Sequence, residues 1–479
     1  MSAIHELSAL DLAAAIRSRD LSPREVTEHT LDRIDRLDDE VGAFVHVTPE
    51  RARADARRAE EILAAAGEGE PLPPFLGVPL PIKDLNQVAG TPMRGGSAAV
   101  ETVPEVDDGV VDLLSRSGTV MVGKTTTPEF GLPSYTEPDV GPPARSPWDP
   151  SRSAGGSSGG AGAAVAAGLV PAAQGSDGGG SIRIPAAACG LVGLLPTRGR
   201  VSSGPHGVDG VGLTRLGVLT RTVRDTAALL DVLAVPRPGD TYRAPEQRGR
   251  FLDACDAPPS RLRIGVLTAP LAIDTDVHPE AIAAVERAGR LLTAMGHELV
   301  EVSPPFAPDD WEAFMPIWAA GPAGIPLTAE QETRLTPLTR WMREVGKGVT
   351  GVEYQAALGA LHALTRRVAT AWSDVDVVLS PTLSGPPAPA DSVRIDADPV
   401  EDFRAQRAFT PWTSTWNITG APAISVPIHR ADLDDGAAPL PFGVQLGGKA
   451  GAEAQLLGLA AALEEADPWP LIAPGWAER

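Results

Sequence analysis

Residues 174–185 read QGSDGGGSIRIP, three consecutive glycines running into a serine. Glycine loses more conformational freedom on folding than any other residue, so such a run needs a reason: unusual backbone angles or close approach to something. A flexible linker explains it poorly, because the run leads into an apolar stretch, 182–195, whose single charge is Arg183. The better reading is a tight loop whose bare amides crowd a reacting group, with Ser181 presented there.

Working outward, the short apolar runs at 75–82, 118–123, 263–268, 374–381 and 423–428 alternate with helix-like segments such as PEAIAAVERAGRLLTAMG and AEAQLLGLAAALEEA. That alternation predicts an α/β fold, a large mixed sheet sandwiched by helices. The first 68 residues read as helices. There Ser22-Pro23-Arg24-Glu25 is a capping box with proline at the first helical position, and Val26, Leu31, Ile34 and Leu37 share one face. One domain over 1–479 is expected: a helical start (1–68), a core (69–215) and the rest of the sheet with its helices (216–479).

The chain of 479 residues carries 62 acidic and 41 basic residues, a formal charge of −21. This argues against a nucleic-acid surface and against an electrostatic hold on anionic lipid. Two cysteines, Cys189 and Cys255, make neither a disulfide framework nor a cysteine-only zinc site. No basic-then-apolar leader opens the sequence, and the most apolar stretch, 161–173, is too short to cross a bilayer. A cytoplasmic location is expected.

Two motifs match patterns whose chemistry they do not support. Gly118 to Thr125 fits the phosphate-loop pattern, but Val120, Met121 and Val122 favour a strand and no helix signal follows. Gly156-Ser157-Ser158-Gly159-Gly160 fits a nucleophile elbow centred on Ser158. The preceding RSPWDPSRSAG, broken by two prolines and three charges, cannot be the buried strand an elbow needs. His206, His278, His297, His362 and His429 follow, none in distinctive surroundings. A histidine-based esterase acting through Ser158 is the least favoured reading.

Lys83 ends FLGVPLPIKDL, a run continuous enough to imply burial on both faces. Alone it would be read as leaving the strand to pair with Asp84 in solvent. Its company changes that. Lys83, the cluster 155–160, SDGGGSIRIPAAACG, SPWDPSRSAGGSSGG (146–160), GKTTTPEFG (123–131) and NITGAPAISVPI (417–428) together resemble the amidase signature family across nearly the whole chain beyond the helical start. Lys83 stands 74 positions before Ser157, and Ser157 24 before Ser181, spacings that suit the family. Two positions depart from it. Many relatives carry Thr or Ile at Gly178 and lysine at Leu195; Gly178 still offers an N–H.

The resemblance implies a Ser–Ser–Lys triad with Ser181 as nucleophile, Ser157 as bridge and Lys83 as base, and a cis peptide before Ser157. Ser158, Asp177 and Arg183 become supporting residues. The physical reading agrees: a serine hydroxyl needs a neighbour to take its proton, and a lysine kept from water can be neutral and do so. The amides of Gly178, Gly179, Gly180 and Ser181 are candidates for the oxyanion hole.

The expected activity is hydrolysis of a linear amide of a small molecule, without metal or cofactor. The alternatives are esters or carbamates at the same triad, a glutamine-dependent amidotransferase subunit with partner chains, and a non-enzymatic binding protein that kept the fold. The wording of SDGGGSIRIP is nearer to free-standing hydrolases, including those that open cyclic amide dimers. Phe314, Trp318, Trp341 and Trp412, with Trp416, are expected at the acyl pocket. Assembly is open, with a homodimer as one option.

Overall fold

At the start of the chain the proline signal and the apolar stripe are used as written, and of the expected capping box the Ser22 half is formed. In the computed structural model, which describes residues 3–67, 69–207, 210–306, 309–433 and 439–479, Ser22 Oγ accepts the Glu25 amide and Pro23 opens the helix Pro23–Val41. Val26, Leu31, Ile34 and Leu37 are buried on its inner face. The helical start is not wholly helical. Phe44–Val47 forms a strand antiparallel to Gly123–Thr125, which runs parallel to Ile82–Lys83, making a small three-stranded sheet.

The main sheet has eight strands: β1 (Ala172–Asp177), β2 (Val192–Leu195), β3 (Arg215–Thr220), β4 (Arg263–Val266), β5 (Glu298–Glu301), β6 (Val377–Pro381), β7 (Ala423–Ala431) and β8 (Leu440–Gly448). Their order is β5-β4-β6-β8-β7-β2-β3-β1. β4 pairs parallel with β5 and β6, and the other pairings are antiparallel. Alternate side chains of a strand point to opposite faces. Val377, Leu379, Ile424 and Leu194 pack into the apolar layer on one face with the helices Val223–Leu233, Pro279–Ala294 and Glu453–Ala466. On the other face Val378, Ala423 and Leu195 join the layer of the helices Asp309–Ala323, Pro337–Gly348 and Gly351–Ala371, while Leu219 and Ala173 meet the helix Gly159–Ala166. The result is the mixed sheet between helices that the alternation predicts.

Two strand expectations are shortened. Within 75–82 only Ile82 is in a strand, the region before it holding a single bridge, Pro79 to Val120. Pro79 and Pro81 have no N–H to give a ladder. In 118–123 regular pairing begins only at Gly123. No phosphate loop forms there: Lys124 is wholly buried against Asp84, 2.9 Å away, and a strand replaces the required helix. Among the described residues no helix is long and apolar enough to cross a membrane.

Candidate active site

The small sheet docks on the edge strand β1. Gln174 on β1 donates its amide to Pro81 O and accepts that of Lys83 at Oε1, each at 3.0 Å. This holds Lys83 off the sheet edge with a side chain of zero exposure. Its Nζ lies 2.8 Å from both Ser157 Oγ and Ser158 Oγ, and 3.1 Å from Ser176 Oγ. It does not pair with Asp84, whose carboxylate faces Lys124. Burial lowers the Lys83 pKa to about 7 against the opposing pull of Asp177.

Ser157 and Ser158 follow a hairpin, Arg145–Ser146 with Asp149–Ser153, and precede the helix Gly159–Ala166. The Gly156–Ser157 peptide is cis. A Cβ on Gly156 would stand 2.4 Å from Tyr135 O, so no larger residue fits there. Ser158 is the helix N-cap residue, yet its hydroxyl makes no cap. It donates instead to Ser176 O at 3.2 Å. Ser158 is fully buried, and its hydroxyl contacts Lys83 and Ser176 rather than a histidine.

Ser181 is presented by the turn from β1 into the helix Arg183–Cys189. Asp177, at the end of β1, accepts the Gly180 amide at 2.7 Å, the Ile182 amide at 3.2 Å and Asn417 Nδ2 at 2.9 Å. Arg183 Nε and Nη2 reach it at 2.9 and 3.0 Å. Burial opposes the Asp177 charge, but Arg183 and these donors hold its pKa down to about 2. Arg183 is itself buried, donating to Thr413 O, Gln445 Oε1 and Asn417 Oδ1 at 2.8, 2.6 and 2.6 Å.

Thr413 Oγ1 donates to Gly179 O at 2.6 Å, so the Gly179–Gly180 peptide is fixed at both its carbonyl and its N–H. Gly180 has φ +137°, and a Cβ there would meet Ile184 and Thr413 at 2.7 Å. This corrects one expectation: Gly180 belongs to the loop for its backbone shape, and its N–H, spent on Asp177, is not an oxyanion donor. Gly178, Gly179 and Ser181 line the cavity, and Gly180 does not.

That cavity has a volume of about 890 Å³ and exposes Ser157 and Ser181 on its wall, but not Ser158. Trp318 lines it as expected. The other aromatic expectations are corrected. Phe314 is buried against Trp311 and Trp318, and Trp341 packs on Phe403, and neither lines the cavity. Trp412 is wholly buried with Nε1 on Ala269 O, and Trp416 stacks on Trp372 in the same core. Sequence reasoning missed Leu132, Phe130, Tyr354 and one face of the helix Pro399–Phe409 carrying Phe403, Gln406 and Arg407. Helical spacing signals such a face, but nothing local says that it fronts a cavity. Among the described residues no group of three His, Cys, Asp or Glu side chains is arranged to hold a metal ion.

Comparison with known proteins places the chain in a family. The model described as Amidase matches residues 25–457. The 6-aminohexanoate-cyclic-dimer hydrolase of Paenarthrobacter ureafaciens is 34% identical over 484 residues, covering 95% of this chain and 94% of that protein. The solved structure of a 6-aminohexanoate cyclic dimer hydrolase complexed with substrate superposes with a TM-score of 0.89 at 32% identity, covering 99% of each chain. A bacterial aryl acylamidase of the amidase signature enzymes superposes at 0.87 with 28% identity, again over 99% of each chain.

Proposed function

Because the chain belongs to the amidase family and is an amide-cleaving hydrolase, we propose that it cleaves a linear amide of a small molecule through an acyl-enzyme on Ser181. Ser157 relays the proton and Lys83 is the base. The observation that carries this reading is the set of contacts around Lys83 Nζ. Ser158 gives its own proton to Ser176 O, so it accepts from Lys83. A neutral amine has two N–H groups, which go to Ser158 Oγ and Ser176 Oγ, and its lone pair then faces the Ser157 hydroxyl. Burial favours that neutral amine.

Ser181 Oγ attacks the carbonyl while its proton passes to Ser157 and that of Ser157 to Lys83. The oxyanion is held by N–H groups of Gly178, Gly179 and Ser181. Its collapse breaks the C–N bond, and the proton returns from Lys83 through Ser157 to the leaving amine. Water then attacks the acyl-enzyme by the same relay, releasing the carboxylic acid and restoring Ser181. Asp177 and Arg183 act by holding the loop, and Ser158 by orienting Lys83.

Trp311, Trp318, Phe130, Leu132 and Phe403 give the cavity an apolar, aromatic wall, which supports acyl groups with apolar bodies. Linear aryl amides, the class named by the aryl acylamidase, are therefore the first substrates to try, with the cyclic dimer named by the cyclic-dimer hydrolase as the comparison. Esters and carbamates share the acyl-enzyme route. A serine-directed fluorophosphonate tests the assignment: the adduct is expected on Ser181, with loss of turnover on a panel of amides. An adduct on Ser158 overturns it.

A further inference from the structure

Arginines in this acidic chain are mostly paired, or buried against several carbonyls. Arg33, Arg198 and Arg215 each donate to three backbone oxygens in the interior. Arg407 differs. It lines the cavity that exposes Ser181, its guanidinium carbon sits 5.0 Å above the Trp311 ring, and it makes one hydrogen bond, Nη2 to Ala272 O at 2.8 Å. Among the described residues no carboxylate is within ion-pair distance of it and no acceptor is bonded to Nε or Nη1. Glu312, exposed on the helix Asp309–Ala323, acts on it electrostatically without forming an ion pair. The other full charge on the cavity wall, Asp108, is already engaged by Asn86 Nδ2 and the Gln87 amide at 3.0 and 2.8 Å.

Arg407 and Ser181 line the same cavity. Arg407 lies one turn before Thr410, which also lines the cavity, and Thr410 leads to Thr413, whose hydroxyl fixes Gly179 O. The helix ends at Phe409 and the chain turns through 410–413, so Arg407 and Ser181 belong to two segments of the wall of one cavity. A guanidinium stacked on an indole and short of acceptors presents fixed N–H donors, and a carboxylate is the group whose geometry and charge match them.

We propose that Arg407 is a specificity-determining residue that binds a carboxylate carried by the amide substrate at the end remote from the scissile bond. This rests on the Ser181 amidase reading and narrows its substrate class to amides with an apolar body and an anionic end. The Trp311 face holds the guanidinium in place, so the carboxylate meets an ordered partner rather than a mobile surface arginine.

The test compares kcat/KM within matched pairs of substrates. One series puts the carboxylate on the acyl part, as ω-carboxyalkanoyl 4-nitroanilides of graded length against methyl-terminated alkanoyl 4-nitroanilides. The other puts it on the amine part, as acylated carboxyanilines against acylated toluidines. The wild-type enzyme is expected to prefer the carboxylate by about tenfold or more in one series, and which series responds identifies the arm that faces Arg407. Arg407→Gln is expected to abolish that preference while still cleaving the neutral partner, and Arg407→Lys to keep part of it. The ratio is taken within one preparation, so partial folding of a variant cancels. A wild-type enzyme that prefers the neutral member in both series, or a preference unchanged in Arg407→Gln, overturns the proposal. Should neither member of any pair be cleaved and no fluorophosphonate adduct form on Ser181, it is the amidase reading that fails. Cleavage of neutral amides without carboxylate preference refutes the Arg407 assignment alone.

Discussion

Gly180 donates its N–H to the Asp177 carboxylate at 2.7 Å, so the residue before the nucleophile is held by the residue three positions before it. The same carboxylate carries both Nε and Nη2 of Arg183, with neither side chain exposed to solvent. Breaking one partner of such a buried pair leaves an uncompensated charge. Asp177→Ala is expected to lower unfolding stability by about 3–5 kcal/mol, read from urea denaturation. Gly180→Ala, which forces a Cβ into Ile184 and Thr413 at a positive φ, is expected to cut kcat by about a hundredfold or more, the scale of losing an oxyanion donor. A Gly180→Ala enzyme with wild-type kcat would show that the loop shape is not required.

Lys83 should set the alkaline rise of activity. Burial disfavours its ammonium form and brings its pKa to about 7, so the base is protonated below that pH and free above it. The kcat/KM profile is expected to climb through about pH 7 and then level. Lys83→Arg keeps the charge but does not release a proton near neutrality. It is expected to be as inactive as Lys83→Met. An arginine variant within about tenfold of wild type, some 1.4 kcal/mol of barrier, refutes the base assignment.

Ser157→Ala cuts the path between Lys83 and Ser181 while leaving both ends in place. Its kcat is expected to fall by about a thousandfold or more, with substrate KM little changed, since the lost group acts on the proton and not on binding. Ser158→Ala, which removes one acceptor from Lys83 Nζ, should be milder and shift the midpoint of the pH profile. Equal losses in the two variants would count against separate relay and orienting roles.

Trp318 meets the nucleophile loop directly: its ring edge comes within 3.1 Å of where a Cβ on Gly179 would stand. Trp318→Ala is expected to raise KM for aromatic acyl amides by about tenfold and to change it little for acetamides. Free glutamine is expected to be a poor substrate of the wild-type enzyme. A kinetic panel in which glutamine is best would favour the amidotransferase alternative.

A separate pH effect belongs to the N-terminal helices. His5 Nδ1 lies 3.1 Å from His29 Nε2 with the rings stacked, and burial lowers both pKa values below 6.5. The folded state therefore binds fewer protons than the unfolded chain. The pair's contribution to stability is present above pH 6.5 and is lost as pH falls through the folded values. Asp38 and Glu464, raised by burial to about 6 and about 7, act in the opposite sense in the same window. Comparison with His29→Gln isolates the pair. Wild type is expected to lose more stability than the variant between pH 7.5 and 5.5, and identical pH slopes would exclude the effect.

Much of this protein was legible in the chain itself. The helix start at Pro23 is local chemistry: a cap, a proline and an apolar stripe act within a few residues of one another. The alternation of β4, β6 and β7 with long amphipathic helices follows from periodicity, which the two-faced packing of a sheet imposes. Ser181 stood out through the glycine run before it, whereas Lys83 and Ser157 were singled out by the resemblance of their surrounding motifs to the amidase signature family, Lys83 alone reading as a strand-end partner of Asp84. Other features belonged to the tertiary structure. That Gly180 spends its amide on Asp177, that Trp412 faces the core while Trp318 faces the cavity, and that Arg407 borders the cavity depend on contacts between segments far apart in sequence. Glycine spacing fixes which backbone shapes are allowed, but not which acceptor an N–H will meet. A tryptophan is equally apolar in a core and on a cavity wall; only the packing of the helices Asp309–Ala323 and Pro399–Phe409 over the nucleophile loop decides which surface it faces.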